Sequence, residues 1–211
     1  MRLHHVIALL AVLLGSTSVN AQLKYFLPDT LDDRAEFAVS HEEWYAEHLQ
    51  VLKEPSLWEQ SKSQETQSYR FLWLRSFHRP VAVRLDVNED GTGFLTTKIT
   101  NGQGGYESGR LVTNRTRRLE QYETDHALAV LEEWGFWNLP AFEKPEEKIG
   151  ADGQRITIIT LDGAAWVLEG VKAGQYHVVN RTSPKDGPLR WLGEMMLFDL
   201  AKLKLLYQEV Y

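Results

Sequence analysis

The chain has 211 residues, with 23 Lys+Arg against 29 Asp+Glu for a net charge of −6, seven Trp and no Cys. The missing cysteine excludes a disulfide scaffold, thiol catalysis, a cysteine metal cluster and a lipid-modified cysteine anchor. The acidic balance argues against a general binder of nucleic acid or anionic lipid, and the length is enough for one sizeable core.

The chain opens MRLHHVIALLAVLLGSTSVNA, with Arg2, an apolar run from Val6 to Leu14 and small residues before Ala21. This is the three-part plan of a secretory signal peptide, with cleavage expected after Ala21. Nine apolar residues fall short of the roughly 20 that cross a bilayer, so no membrane span is expected once the signal is removed. Cleavage leaves 22 Lys+Arg and 29 Asp+Glu, a net charge of −7, in a protein expected to be periplasmic or secreted from a bacterium.

Residues 22–67 are charged, with scattered aromatics, and read as a helical and irregular N-terminal segment. Ser40 followed by Glu43 matches a capping box. It predicts a helix carrying Trp44, Leu49, Val51 and Leu52 on one stripe and stopping near Glu54–Pro55. Residues 68–211 read as a single domain. YRFLWLR and VAVRLDV are strand-like, Asp90-Gly91 is a turn, and FLTTKI and RLVTNRTRRL continue as strands. The Gly-rich NGQGGYESG between the last two is expected to be a mobile loop. A helix over Asp125–Trp134, capped by Thr124 or Asp125 and ended by Gly135, follows from the spacing of Ala127, Val130, Leu131 and Trp134.

In the second half RITIITL, AAWVLEGV and YHVVNR read as strands, and Gly187-Pro188 opens a long final helix whose apolar spacing runs from Leu189 to Tyr207. Each half thus reads strand, turn, strand, turn, strand, helix. The fold class is α+β, a mainly antiparallel sheet with helices, and the order suggests two similar βββα halves.

The densest chemistry lies in DGAAWVLEGVKAGQYHVVNRTSP, Asp162 to Pro184. A hairpin turning through Lys172–Gln175 pairs Val171 with Tyr176, Glu169 with Val178 and Trp166 with Arg181. Side chains alternate between faces. Val167, Glu169, Val171, Tyr176, Val178 and Asn180 then share one face, and Trp166, Leu168, His177, Val179 and Arg181 the other. Glu169 and His177 are therefore separated by the sheet, which argues against a Glu–His dyad or a Ser183–His177–Glu169 triad. Arg181 over Trp166 is the expected cation–π contact, and Glu169 among valines needs a partner. Trp166, Glu169, Tyr176, His177 and Arg181 are the candidate binding residues, and none is assigned a catalytic role.

Three further patterns carry weaker signals. Asp86, Asn88, Asp90 and Gly91 open like a calcium loop, but Thr97 stands where a bidentate Glu belongs and the flanks are strands. HEEWY, His41 to Tyr45, starts like a zinc-protease helix but has Tyr45 in the second ligand position, with only five His after Ala21. Arg110, Arg115, Arg117 and Arg118 form a basic cluster suited to an anionic polymer or an acidic protein face.

Asp162-Gly163, Trp166, Glu169-Gly170, Gly174, Tyr176-His177, Arg181 and Ser183-Pro184, followed by a Leu-rich final helix, resemble a segment of exported bacterial proteins of unknown function. FWNLP, Phe136 to Pro140, is more loosely similar. The resemblance implies bacterial export and a shared fold, and it brings no activity or cofactor with it. The expectation is a non-catalytic binding or interaction module without a cofactor, its partner an envelope protein or an anionic polymer. The alternative is a hydrolase of envelope material using Glu169 as acid or base, which requires a cleft with two carboxyls about 5 to 10 Å apart.

Overall fold

Strand β1 (Gln67–Arg75) lies at the centre of a six-stranded antiparallel sheet. On one side it pairs with β2 (Val81–Val87), followed by β3 (Gly93–Thr100) and β4 (Leu111–Arg118) as a meander. Separately, β5 (Glu147–Ile149) pairs antiparallel with β6 (Arg155–Thr157). On its other side β1 pairs with β7 (Ala164–Lys172), which pairs with β8 (Gln175–Thr182), giving the order β4-β3-β2-β1-β7-β8. The computed structural model describes residues 24–32, 35–143, 147–149, 154–157, 162–205 and 209–211. The signal-peptide reading, residues 158–161 and Tyr207 lie outside the described residues.

Both faces of the sheet are covered, which is why β1 is buried from Ser68 to Arg75 rather than alternating. On one face Tyr69, Phe71 and Trp73 join Val83, Leu85, Trp166 and Leu168 in a core closed by α3 (Gln121–Glu133) and α4 (Pro188–Glu194). On the other, Leu72, Leu74, Ala82 and Val167 pack against Tyr25, Phe26 and Leu31 and against Tyr45, Leu49 and Leu52 of α1 (Ala35–Val51) and its end. The N-terminal segment is therefore a third layer, packed on the second face of the sheet. A short helix, α2 (Leu57–Gln60), capped by Ser56, leads from it into β1.

The α+β class and the antiparallel sheet are as read from the sequence, and several details differ. Ser40 lies inside α1, which starts at Ala35, so it is not the cap. α3 begins at Gln121 because Glu120 and Glu123 form the capping box, four residues before the expected start. The last helix is shorter than its apolar spacing suggested. After Glu194 it winds as a π-helix over Met195–Leu200, closed by Ala201 N–H to Met196 O at 3.0 Å. The wider turn lets Met195, Met196 and Leu197, three residues in succession, all face the core. The halves also contribute unequally. Among the described residues the first supplies four strands to the sheet, whereas β6 pairs with β5 and only β7 and β8 of the second half join it.

The Gly-rich stretch after β3 is tied down. Gly104 N–H donates to His78 O at 2.9 Å, Gly105 N–H to Ser76 O at 3.3 Å, and Gln103 bridges Glu107. It packs on α1, where Ser108 Oγ lies 3.3 Å from Glu47 Oε1 and the backbone of Gly104 bonds to His48. His48 is buried, and burial pushes its pKa down to about 4 from 6.5, against the opposing pull of Glu47. Between pH 6.5 and about 4 the unfolded chain takes up a proton there that the folded chain refuses. Stability is thus complete above pH 6.5 and falls as the pH drops through that window, by on the order of 3 kcal/mol at most. His48→Leu is expected to flatten this part of a stability-versus-pH curve measured by urea unfolding. An unchanged slope would mean that His48 is not the group responsible.

Candidate functional site

The β7–β8 hairpin has the expected register: Val171 opposes Tyr176, Glu169 opposes Val178 and Trp166 opposes Arg181. Its turn has Ala173 at φ 48° and Gly174 at φ 77°, the two left-handed residues that match the twist of a two-residue hairpin. Glu169 and His177 project to opposite faces, Glu169 toward the α1 layer and His177 toward Phe136.

Glu169 is 0% exposed. Its Oε1 accepts from Tyr176 Oη at 2.9 Å, and its Oε2 accepts from Arg70 Nε at 2.9 Å and from Arg70 Nη2. Arg70 stands directly across the ladder from Glu169, and Arg84 directly across from Arg70 on the other side. The row continues through Thr96 to Thr116, whose hydroxyls lie 3.0 Å apart. Two neighbouring arginines in a sheet repel, and Glu54 offsets this from the link between α1 and α2. Its Oε2 lies 2.9 Å from Arg84 Nε and 3.6 Å from Arg70 Nη1, and its Oε1 lies 2.8 Å from Lys98 Nζ, off the line of a good hydrogen bond. Arg84 also bonds Asp86, which accepts from Ser68 Oγ at 2.7 Å.

This cluster holds three cations, Arg70, Arg84 and Lys98, and three anions, Glu54, Asp86 and Glu169. Burial pushes the Glu169 carboxyl up, with Arg70 pulling the other way. Burial also works against the charge on Arg70, but Glu169 and Glu54 outweigh it and hold the guanidinium above its ordinary range. Burial and the adjacent Glu169 raise Tyr176 well above the normal phenol range, so its hydroxyl stays protonated and donates. Both carboxylate oxygens of Glu169 are occupied and neither meets solvent. The arrangement can hold the α1 layer to the sheet, but it has no face on which a substrate could meet the acid.

The other candidates are held separately. His177 Nε2 is 3.0 Å from Leu139 O, and its ring packs edge-on against Phe136 at 5.2 Å; burial lowers its pKa. Arg181 does not cover Trp166. The segment after α3 crosses there and takes the guanidinium, with Pro140 O at 2.9 Å and Glu143 Oε1 at 2.8 Å from it, and the adjacent Asn180 O of β8 accepts at 2.7 Å. Arg190 of α4 lies over Trp166 instead, 4.9 Å from the ring centroid. Asp86, the first residue of the calcium-like loop, is taken up by Ser68 and Arg84, and Asp90 accepts from Thr92 N–H at 2.9 Å. Asn88 N–H donates to Thr92 O at 3.0 Å within the same turn. Tyr45 bonds Asn180 Oδ1 at 3.1 Å and stacks on His41 at 5.7 Å. Among the described residues no group of three or more His, Cys, Asp or Glu is placed to hold a metal ion.

Sequence reasoning missed Arg70 and Glu54, which complete the network. The signal for Arg70 was its place between Tyr69 and Phe71 in the strand-like run YRFLWLR, an ion that a two-sided strand cannot bury alone.

The basic cluster divides. Arg117 forks onto Glu123, both bonds 2.8 Å, and also donates to Leu200 O, so it ties β4 to α3 and to the π-helical turn that follows α4. Arg110, Arg115 and Arg118 are exposed. β4 is an outer strand of the sheet: it pairs with β3 along one side, and no other described strand pairs along the other. Val112 on it is 52% exposed.

Comparison with protein families, with curated proteins and with solved structures finds no match to this chain.

Proposed function

We propose that the protein is an exported, non-catalytic interaction module whose recognition surface is the edge strand β4, and that its partner is an acidic extended segment of an envelope protein. The observation that carries this reading is the exposed trio of Arg110, just before the eight-residue edge strand, and Arg115 and Arg118 on it. An edge strand offers unpaired main-chain donors and acceptors to an incoming strand. The arginines bias which strand arrives. A second copy of β4 would bring like charge against like charge, whereas an acidic strand gains charge-assisted bonds. Export rests on residues 1–21 acting as a signal peptide, so the mature chain begins at Gln22.

The reading is tested with the mature protein and a synthetic peptide of alternating Glu and Thr, followed by fluorescence anisotropy at low and moderate salt. Saturable binding that weakens with salt, and is lost in Arg110→Glu/Arg115→Glu/Arg118→Glu at an unchanged melting temperature, is the expected result. Absence of binding, or binding that survives the triple reversal, contradicts the proposal. Polyphosphate binding with no peptide binding assigns the edge to an anionic polymer instead.

A further inference from the structure

A groove of about 340 Å³ runs between α3 on one side and α4 with its π-helical turn on the other. From α3 it is lined by Val130 and Trp134, one helical turn apart, and from the other wall by Trp191, Met195 and Phe198. The Trp134 and Trp191 rings meet at 46° with their centroids 4.1 Å apart, which makes an aromatic corner. Trp191 still keeps 41% of its surface exposed, so contact with Trp134 leaves part of an indole open to a ligand.

The polar groups set the charge that this groove accepts. Three line it, His126, Glu194 and Asp199. Glu194 Oε1 accepts from Arg190 Nε at 2.5 Å, and that ion pair balances its charge. Asp199 is exposed, and its side chain has no hydrogen-bond or ion-pair partner among the described residues. Among the described residues no Lys or Arg lines the groove. One uncompensated carboxylate therefore stands beside two indoles, and an indole ring also attracts a cation.

The apolar walls narrow the kind of cation. A primary ammonium is strongly hydrated and has three N–H donors to satisfy, and Val130 and Phe198 offer them no acceptor. A quaternary ammonium has no N–H, and its methyl groups suit an apolar wall while its charge meets the rings. A zwitterionic lipid headgroup would bring its phosphate against Glu194 and Asp199, so a free ligand fits better than a bilayer. The volume lies at the small end of the range for small-molecule sites.

From this geometry we infer that the groove between α3 and α4 binds a free organic monocation of the quaternary ammonium class, with Trp134 and Trp191 as the aromatic corner and Asp199 as the counter-charge. The site uses no residue of β4 and is independent of the interaction proposed there.

The test is isothermal titration calorimetry of residues 22–211 with choline as the probe, at constant ionic strength. Saturable binding is expected, and the uncharged isostere 3,3-dimethylbutan-1-ol should bind about tenfold more weakly or not at all. Trp191→Ala should weaken choline binding about tenfold, and Asp199→Asn about threefold, each with the far-ultraviolet circular dichroism of wild type. Absence of saturable choline binding overturns the proposal, and so does equal binding of the alcohol, because the charge is then not read. Binding untouched by both substitutions overturns it as well, since the cation then sits elsewhere. Binding to phosphatidylcholine vesicles without binding of free choline contradicts the free-ligand assignment and gives the groove to a membrane surface.

Discussion

Arg70→Ala is expected to lower the unfolding free energy by about 3–5 kcal/mol, the cost of leaving a buried carboxylate without its counter-ion. Glu169 would retain only Tyr176 Oη, and Glu54 would retain Arg84 and Lys98. In a chain of this size each kcal/mol moves Tm by about 2–4 °C, so the transition should fall by roughly 10 °C. Replacing the whole set with apolar groups is a different experiment. Arg70→Met/Glu169→Leu/Tyr176→Phe leaves no orphaned charge of the pair, and it should recover about half of the loss or more. Urea unfolding of the two variants beside wild type checks both statements. If Arg70→Ala costs less than about 1 kcal/mol, as an exposed pair would, the buried-network account of Glu169 is wrong.

Trp166→Ala is expected to cost a comparable amount, about 3–5 kcal/mol, from lost burial and from the cavity left behind. The indole is fully buried, with Phe71 at 5.3 Å and Trp73 at 5.6 Å between ring centroids. On its far side α4 comes so close at Gly193 that a Cβ there would stand 2.6 Å from Trp166 Cζ3. The helix therefore sits directly on the ring and cannot settle inward without moving its whole turn. Trp191, 41% exposed on the same helix, is the control. Its alanine variant should lose about 1 kcal/mol or less. Equal losses for the two would contradict the core assignment.

Local pattern made the β7–β8 hairpin legible to the individual residue, because alternation and a two-residue turn together leave one register. The separation of Glu169 from His177 followed from that register, and so did the need of Glu169 for a partner. The partner itself was not legible. Arg70 is 99 positions away in the chain, and no local rule ranks one distant arginine over another. The same limit explains Arg181 and Arg190. The hairpin placed Arg181 on the face of Trp166, but the carbonyl of Pro140 and the carboxylate of Glu143 take its guanidinium, while a residue of α4 reaches the ring.

Helix ends were harder for a different reason. Thr124 and Asp125 are good caps in isolation, yet Glu120 with Glu123 competes for the same turn and wins, because starting there lets Glu123 meet Arg117. Arg117 in turn holds the glutamate's pKa down to about 2. The π-helical ending of α4 follows from tertiary demand, since the apolar spacing through Leu200 fits an α-helix just as well until the sheet requires three successive residues to turn inward. The Gly-rich stretch looked like a mobile loop because composition does not reveal what a glycine packs against; Gly104 and Gly105 bond the backbone between β1 and β2.

Across these sites, Glu169, Tyr176, His177 and Arg181 are tied into the packing of the layers, and the recognition surface proposed is the β4 edge. The measurement that tests this most directly is the unfolding free energy of Glu169→Gln, taken from urea denaturation of residues 22–211. The account predicts a loss of about 2–3 kcal/mol, because a neutral amide cannot compensate Arg70 in the interior. A variant as stable as wild type, or more stable, would show that Glu169 is kept for something other than stability and would contradict the account.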